Sequence, residues 1–309
     1  MRRTRAALAA LLVSGAAALA AAPPAGAATR EFWVAATPVI WNMAPNGRDA
    51  ITGARLDPMQ IVRPTTVYRR YSKGWRRPLP NSPMSGNQNQ IPGPLMRARV
   101  GDKLVIHFKN MDFTRMNGHS MHFHGVEYKP SSDGAFVPGV SGPDGNVLPG
   151  RTWTYRLTAG RQSAGVWPYH DHSSSMHESI EGGMYGMLSI RGRREALPDK
   201  EFVVVFAPMG DLQTIDGRAF VGNTPVFRGR VGDLVQWDVM AMGSEHHTFH
   251  VHGHRWLETG GVPRDTRTIG PAETFRVRWR ERDPGVWLYH CHVEQHMERG
   301  MIGTYRVSR

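Results

Sequence analysis

The amino-acid sequence predicts an all-β protein assembled from two copies of one β-sandwich or barrel domain, and three observations carry that reading. Apolar residues fall in short runs punctuated by Gly and Pro, with no sustained 3.6-residue period, a pattern of strands rather than helices. The 309 residues amount to about two ordinary domains. Three blocks also recur in the same order. Pro94-Leu-Met-Arg-Ala-Arg-Val-Gly-Asp102 matches Pro225-Val-Phe-Arg-Gly-Arg-Val-Gly-Asp233, His119-Ser-Met-His-Phe-His-Gly125 matches His247-Thr-Phe-His-Val-His-Gly253, and Gly165-Val-Trp-Pro-Tyr-His-Asp-His172 matches Gly285-Val-Trp-Leu-Tyr-His-Cys-His292.

Residues 1–28 read as a secretory leader: a basic start, an Ala/Leu core, and Ala25 and Ala27 in an A-x-A arrangement before the cut. The apolar run is short and broken by Pro23 and Pro24, so it does not make a membrane span. The chain is therefore expected to be secreted, and Arg2-Arg3 leaves twin-arginine export open beside the general route. Domain 1 is expected over residues 29–192, with a strand from Val100 to Asn110. The polar stretch from Arg191 to Lys200 marks the boundary. Domain 2 follows over residues 199–309, with strands at Glu201–Phe206, Val231–Val239 and Thr274–Trp279.

The chain has 38 Lys and Arg against 26 Asp and Glu, a formal charge of +12. Such an excess attracts anionic partners at long range. The cations are scattered among Gly, Pro and Trp rather than strung into a run or an aromatic-spaced stripe, which argues against nucleic-acid binding.

Eight of the 15 histidines form four His-x-His pairs: 122/124, 170/172, 250/252 and 290/292. Residues two apart on a strand share a face, so each pair aims two imidazoles at one place. Two hydrogen-bonded strand histidines would account for one such pair, but hardly for four placed symmetrically in a duplication. Imidazole suits copper, zinc, iron and nickel, and eight of them could hold three metal ions with positions left for a small ligand. The one cysteine, Cys291, lies between His290 and His292 and points to the opposite face. With His247, His296 and Met301 it completes a thiolate, two imidazoles and a thioether, the ligand set of a blue-copper electron-transfer site. Zinc is the rival metal, but its structural sites seldom use Met. The peptide bonds flanking Cys291 would connect such a site directly to the histidine cluster.

The blocks His122-Phe-His124-Gly125, His170-Asp-His172, His247-Thr-Phe-His-Val-His-Gly253 and His290-Cys-His-Val-Glu-Gln-His-Met-Glu-Arg-Gly-Met301 resemble the four copper motifs of multicopper oxidases, and the size resembles the bacterial two-domain (small) laccases. The match runs from about residue 90 to 309; residues 29–89 contribute little to it. The resemblance implies two cupredoxin-like Greek-key β-sandwich domains in tandem. It implies four coppers per chain equivalent. Type 1 copper would lie on His247, Cys291, His296 and Met301; type 2 on His122 and His250; the type 3 pair on His124, His170, His172, His252, His290 and His292. Phenolic or aromatic donors would be oxidised one electron at a time while dioxygen is reduced to two waters. Tyr128 matches an auxiliary redox tyrosine, and Asp133 and Asp265 match acidic residues that could supply protons. Each has a plainer reading, Tyr128 as a packed aromatic and the two aspartates as Asx-turn residues.

Four of the eight cluster histidines fall in each domain, so a cluster must form where a first domain meets a second. The two-domain laccases solve this as homotrimers. A metallo-oxidase acting on cuprous, ferrous or manganous ions is the nearest alternative activity. A copper nitrite reductase would carry its type 1 cysteine in the first domain, where this chain has Asp171. A non-catalytic electron carrier would not need eight cluster histidines. Five histidines, 107, 119, 177, 246 and 254, lie outside the ligand set, and the scattered Met176, Met184, Met187, Met240 and Met242 read as core gap-fillers rather than a copper path. Overlaid on the second half, His119, Asp171 and Met184 take the places of His247, Cys291 and Met301, with His177 near that of His296. The first domain thus resembles a blue-copper site without its thiolate, either a remnant in which Asp171 accepts hydrogen bonds and Met184 packs in the core or a pocket for a weakly bound divalent metal through His119 and Asp171, and in both cases Asp171→Cys is expected to bind additional copper.

Overall fold

The computed structural model describes residues 26–81, 90–258 and 260–309. Residues 1–25, which hold most of the expected leader, lie outside them. Among the described residues no helix is long and apolar enough to cross a membrane.

Domain 1 contributes β1 (Thr29–Asn42), β2 (Val62–Tyr71), β3 (Met96–Arg99), β4 (Lys103–Asn110), β5 (His122–Phe123), β6 (Glu127–Tyr128), β7 (Thr152–Thr158), β8 (Gly165–His170) and β9 (Tyr185–Arg191). They form the sheets β2-β1-β4-β7-β6 and β3-β9-β8-β5, whose inner faces close over Val34, Leu104, Ile106, Tyr155, Tyr169 and Leu188. Domain 2 contributes β10 (Lys200–Met209), β11 (Leu212–Ile215), β12 (Val226–Arg230), β13 (Leu234–Ala241), β14 (His247–Val251), β15 (Trp256–Leu257), β16 (Pro263–Arg264), β17 (Thr266–Ile269), β18 (Thr274–Arg280), β19 (Gly285–Cys291) and β20 (Ile302–Ser308). Its sheets are β11-β10-β13-β18 and β12-β20-β19-β14-β17, with a β15-β16 pair alongside. Phe202, Phe227, Trp237, Phe249 and Tyr289 fill the space between the two larger sheets.

The duplication read in the sequence is a duplication of topology. β1 and β4 run parallel and β4 pairs antiparallel with β7, as β10 and β13 run parallel and β13 pairs with β18. Strands β3-β9-β8-β5 repeat as β12-β20-β19-β14 with the same senses. The repeated Arg-Val-Gly-Asp blocks are one turn used twice. Gly101 and Gly232 take φ of 102° and 94°, a left-handed conformation that suits glycine. The aspartate after each accepts a hydrogen bond from the backbone N–H of the arginine, Arg99 to Asp102 at 3.0 Å and Arg230 to Asp233 at 2.9 Å. That turn delays the strands expected from Val100 and Val231 until Lys103 and Leu234.

A third apolar core joins the domains. Trp41, Met43 and Ile61 from the N-terminal segment meet Tyr185 and Met187 of domain 1 and Val203, Val205, Met240 and Met242 of domain 2. Met184, Met187, Met240 and Met242 are buried, in keeping with gap-filling, whereas Met176 is partly exposed. Beside that core lies a polar lock. The buried Arg276 guanidinium pairs with Asp238 at 2.9 Å and donates to Ser189 Oγ at 2.7 Å and to Glu195 at 3.1 Å, while Arg97 pairs with Glu201 at 2.6 Å. Removing one partner of a buried pair strands the other charge, so Arg276→Ala should destabilise the metal-free protein by about 3–5 kcal/mol. An unchanged thermal midpoint would show that the lock contributes nothing.

Candidate metal centres

Each domain brings its two His-x-His pairs together by strand pairing. His122 on β5 stands directly opposite His170 on β8, and His250 on β14 opposite His290 on β19. Across the strands His124 Nε2 lies 3.2 Å from His170 Nε2, and His252 Nε2 lies 3.0 Å from His290 Nε2. The rings of His172 and His292 sit 5.3 and 5.5 Å from those of His122 and His250. The glycine closing each His-x-His-Gly block has φ of 70°, and a Cβ on Gly125 or Gly253 would run into Trp167 or Trp287. The Gly and Trp of the repeated blocks are therefore one packing contact.

Backbone carbonyls fix the tautomers. Nδ1–H of His122, His170, His250 and His290 donates to the carbonyls of Asp133, Asp171, Asp265 and Cys291 at 2.6, 3.0, 2.7 and 2.8 Å. With Nδ1 so engaged, the Nε2 lone pair is the one offered to a metal. Burial, aided by the neighbouring histidines, pushes His124, His170 and His290 down to about 4, so these rings stay neutral at neutral pH.

On the other face of β19, Cys291 Sγ lies 3.9 Å from His247 Nδ1 and 3.6 Å from His296 Nδ1, and those two nitrogens are 3.1 Å apart. The Thr248 N–H donates to Cys291 Sγ at 3.3 Å. Met301 is fully buried and its carbonyl accepts from the Cys291 N–H at 3.1 Å. Burial pushes His247 down to about 3 and raises the Cys291 thiol, while His247 Nε2 is buried with no hydrogen-bond partner. A pocket that disfavours the thiolate, yet converges soft and borderline donors on one point, fits a bound cation that would deprotonate the thiol.

The three residues assigned redox or proton roles are placed differently. Tyr128 stands 6.3 Å, ring to ring, from His122, and burial together with the nearby Asp133 charge raises its pKa; the Asp133 carboxylate lies 3.6 Å from His122 Nδ1. Asp265 touches His250 through its carbonyl, and its side chain belongs to an exposed residue. Among the other histidines, His107 stacks on Trp33, His177 is exposed beside Glu181, and His246 is exposed. His254 is buried against Glu281, 3.1 Å away, and donates to the His252 carbonyl at 2.7 Å rather than joining the cluster.

The first-domain counterpart of the Cys291 pocket differs in one position from the sequence overlay. The Met184 N–H donates to Ser179 as the Met301 N–H donates to His296, so Ser179, not His177, occupies the His296 position; a three-residue insertion between Asp171 and Ser179 hid this. Asp112, which closes the pocket against His119, and Glu245, 3.3 Å from His296 Nε2, carried no motif that sequence reading could find.

Residues 71–195 and 198–309 each match a family model described as multicopper oxidase. The chain belongs to the multicopper oxidase family. It is 28% identical to human ferroxidase HEPHL1 over 92% of this chain and 30% of that protein. It is 30% identical to a probable nitrite reductase-hydroxylamine oxidoreductase fusion protein of Kuenenia stuttgartiensis over 73% of this chain and 28% of the relative. The chain thus spans under a third of the length of these curated relatives. A solved structure described as a multicopper oxidase superposes with a TM-score of 0.69 at 23% identity, covering 91% of this chain and 89% of the other.

Two outcomes follow from this geometry. In the unfolded chain His124, His170, His247 and His290 regain a pKa near 6.5, above their folded values. Their neutral forms favour folding above about 6.5, and that contribution is lost as pH falls toward about 4, so the metal-free thermal midpoint should drop across this window. A flat midpoint would contradict it. Cys291→Ser, loaded with copper, should lack the intense visible band of a copper–thiolate site; persistence of that band would disprove the type 1 assignment.

Proposed function

We propose that this oxidase is laccase-like, coupling one-electron oxidation of phenolic or aromatic donors to the four-electron reduction of dioxygen to water. The observation that carries the reading is the arrangement at the end of β19: Cys291 faces a mononuclear pocket while its two chain neighbours, His290 and His292, face the other histidines, so two peptide bonds would connect electron entry to the cluster.

The ligand assignments follow the same geometry. His247, Cys291, His296 and Met301 would hold type 1 copper. His122 and His250 would hold type 2, and His124, His170, His172, His252, His290 and His292 the type 3 pair. Copper there supplies one-electron redox chemistry and the site of dioxygen reduction. The carbonyls that accept from Nδ1–H orient His122, His170, His250 and His290, and burial keeps His124, His170 and His290 unprotonated. His296, with a side chain 14% exposed, is the edge at which an electron can enter from outside. Asp133, 42% exposed and 3.6 Å from His122 Nδ1, would pass protons from solvent toward the cluster.

The cluster would be completed between chains. Among the described residues, no group of three or more potential ligand atoms lying within 4.8 Å of one another combines histidines of both domains. The apolar core and the Arg276 lock hold the domains in one arrangement. A closed head-to-tail ring, proposed as a homotrimer, lets a first-domain set meet the second-domain set of a neighbour. Sedimentation of the copper-loaded enzyme should give a trimer, and an active monomer would contradict this.

A specific feature favours a second activity, metal-ion oxidation. The Glu245 carboxylate, held by Gln213 at 2.7 Å, lies 3.3 Å from His296 Nε2, and an anion at the electron entrance draws cationic donors. Steady-state rates for a phenol and for cuprous, ferrous and manganous ions, on one copper-loaded preparation, decide between them. A laccase oxidises the phenol faster, and Glu245→Gln leaves that rate within about threefold. A selective loss of ion oxidation in Glu245→Gln, with the ions the better substrates, would overturn the laccase reading.

A further inference from the structure

The first domain keeps the shell of a mononuclear centre but fills it differently. His119, Asp171, Ser179 and Met184 stand where the second domain has His247, Cys291, His296 and Met301. The surrounding backbone is the same: the Asp171 N–H donates to the Met184 carbonyl at 3.0 Å, as the Cys291 N–H does to that of Met301 at 3.1 Å. The Ser120 N–H donates to Asp171 Oδ1 at 2.7 Å, as the Thr248 N–H donates to Cys291 Sγ. The added element is Asp112. Counted from the matched Val100-Gly101-Asp102 and Val231-Gly232-Asp233, its place in the second domain is taken by Gly243.

His119 is 2% exposed, and each of its ring nitrogens meets a fully buried carboxylate: Nδ1 lies 3.2 Å from Asp171 Oδ2, and Nε2 lies 3.1 Å from Asp112 Oδ2. Carboxylates only accept, so both nitrogens donate and the ring carries two protons. The rest of each carboxylate is also satisfied. Asp171 accepts from Ser173 Oγ at 2.8 Å, and Asp112 accepts from Thr66 Oγ1 at 3.0 Å and the Arg115 N–H at 3.0 Å. Nothing in this network calls for a metal. Its connections run to the cluster: Asp171 separates His170 from His172, Ser120 Oγ accepts from the His172 N–H at 3.1 Å, and His119 lies three residues before His122.

We infer that Asp112, His119 and Asp171 form a metal-free positioning clamp that stands in for a lost mononuclear centre and holds the His122 strand against the His170–His172 strand. In the second domain the corresponding cross-strand tie would be one ion held by a cysteine and two histidines; in the first it is a histidine held between two carboxylates. The inference rests on the copper reading of the histidine sets and adds residues that touch no copper. Asp171→Cys alone would leave His119 tied to Asp112 and a serine in the His296 place, so it would gain no copper.

The test is Asp112→Asn in the full-length protein, titrated with copper ions alone. Cluster copper is counted from the near-ultraviolet and paramagnetic signals, and type 1 copper from the intense visible band. Loss of partners behind metal ligands typically costs 10–100-fold in affinity, so cluster affinity should fall by about that factor while the visible band keeps its intensity. Cluster affinity within twofold of the parent, or equal weakening of both centres, would overturn the clamp. Should Asp112→Asn not fold, Thr66→Val removes one donor to Asp112, and the same selective loss is expected; unchanged cluster binding there refutes the clamp. A parent chain that gains no visible band and no cluster copper would instead overturn the copper reading, and the clamp with it.

Discussion

The structure depends on strand register. In β5–β8 and β14–β19 the histidines stand opposite one another, and side chains alternate between the faces of a sheet. Four imidazoles therefore meet on one face of each pair, while the residue between His290 and His292 turns to the other. A slip of one residue would bury the histidines among Phe123, Phe249 and Tyr289 and expose those rings. Aromatic burial thus pays for ligand geometry: the same residues that fill the cores fix where the imidazoles point. Gly125 against Trp167 and Gly253 against Trp287 pin the registers at the end where the histidines gather.

Much of this was legible in the sequence because the function is written as a period-two pattern inside a repeat. His-x-His on a strand needs no tertiary information to be read, and four copies in register with three repeated blocks announce two equivalent domains. The ligand set around Cys291 was legible for a similar reason, since thiol, imidazole and thioether are distinctive donors at short spacing. What stayed hidden depends on contacts remote in sequence. Asp112 is an ordinary loop aspartate until folding sets its carboxylate 3.1 Å from His119. Ser179 was missed because an insertion shifts spacing, whereas the Met184 N–H still finds the same carbonyl. Asp265 has a suggestive position in the sequence, yet it is its carbonyl that reaches His250, a role any residue could fill.

The N-terminal segment shows the same limit. Residues 29–89 carry no copper motif, yet β1 and β2 complete a sheet of domain 1, and Trp41 and Met43 enter the core between domains. Trp41 Nε1 donates to the Gly217 carbonyl at 2.6 Å, across the boundary. Apolar residues that pack on another domain have the pattern of any strand, so sequence shows that they are buried but not against what. Together with the pair of Arg276 and Asp238, this packing makes the domain arrangement a fixed property of the chain, and on the proposed reading it leaves each histidine set half of a site.

On the proposed reading these half-sites become one cluster beside a separate thiolate centre. Crystals of the copper-loaded protein, measured for anomalous scattering at the copper edge, test it most directly. One copper is expected among His247, Cys291, His296 and Met301, three where the four first-domain histidines of one chain meet the four second-domain histidines of its neighbour, and none beside His119 and Asp171. Separate copper ions on each four-histidine set within a single chain would contradict it.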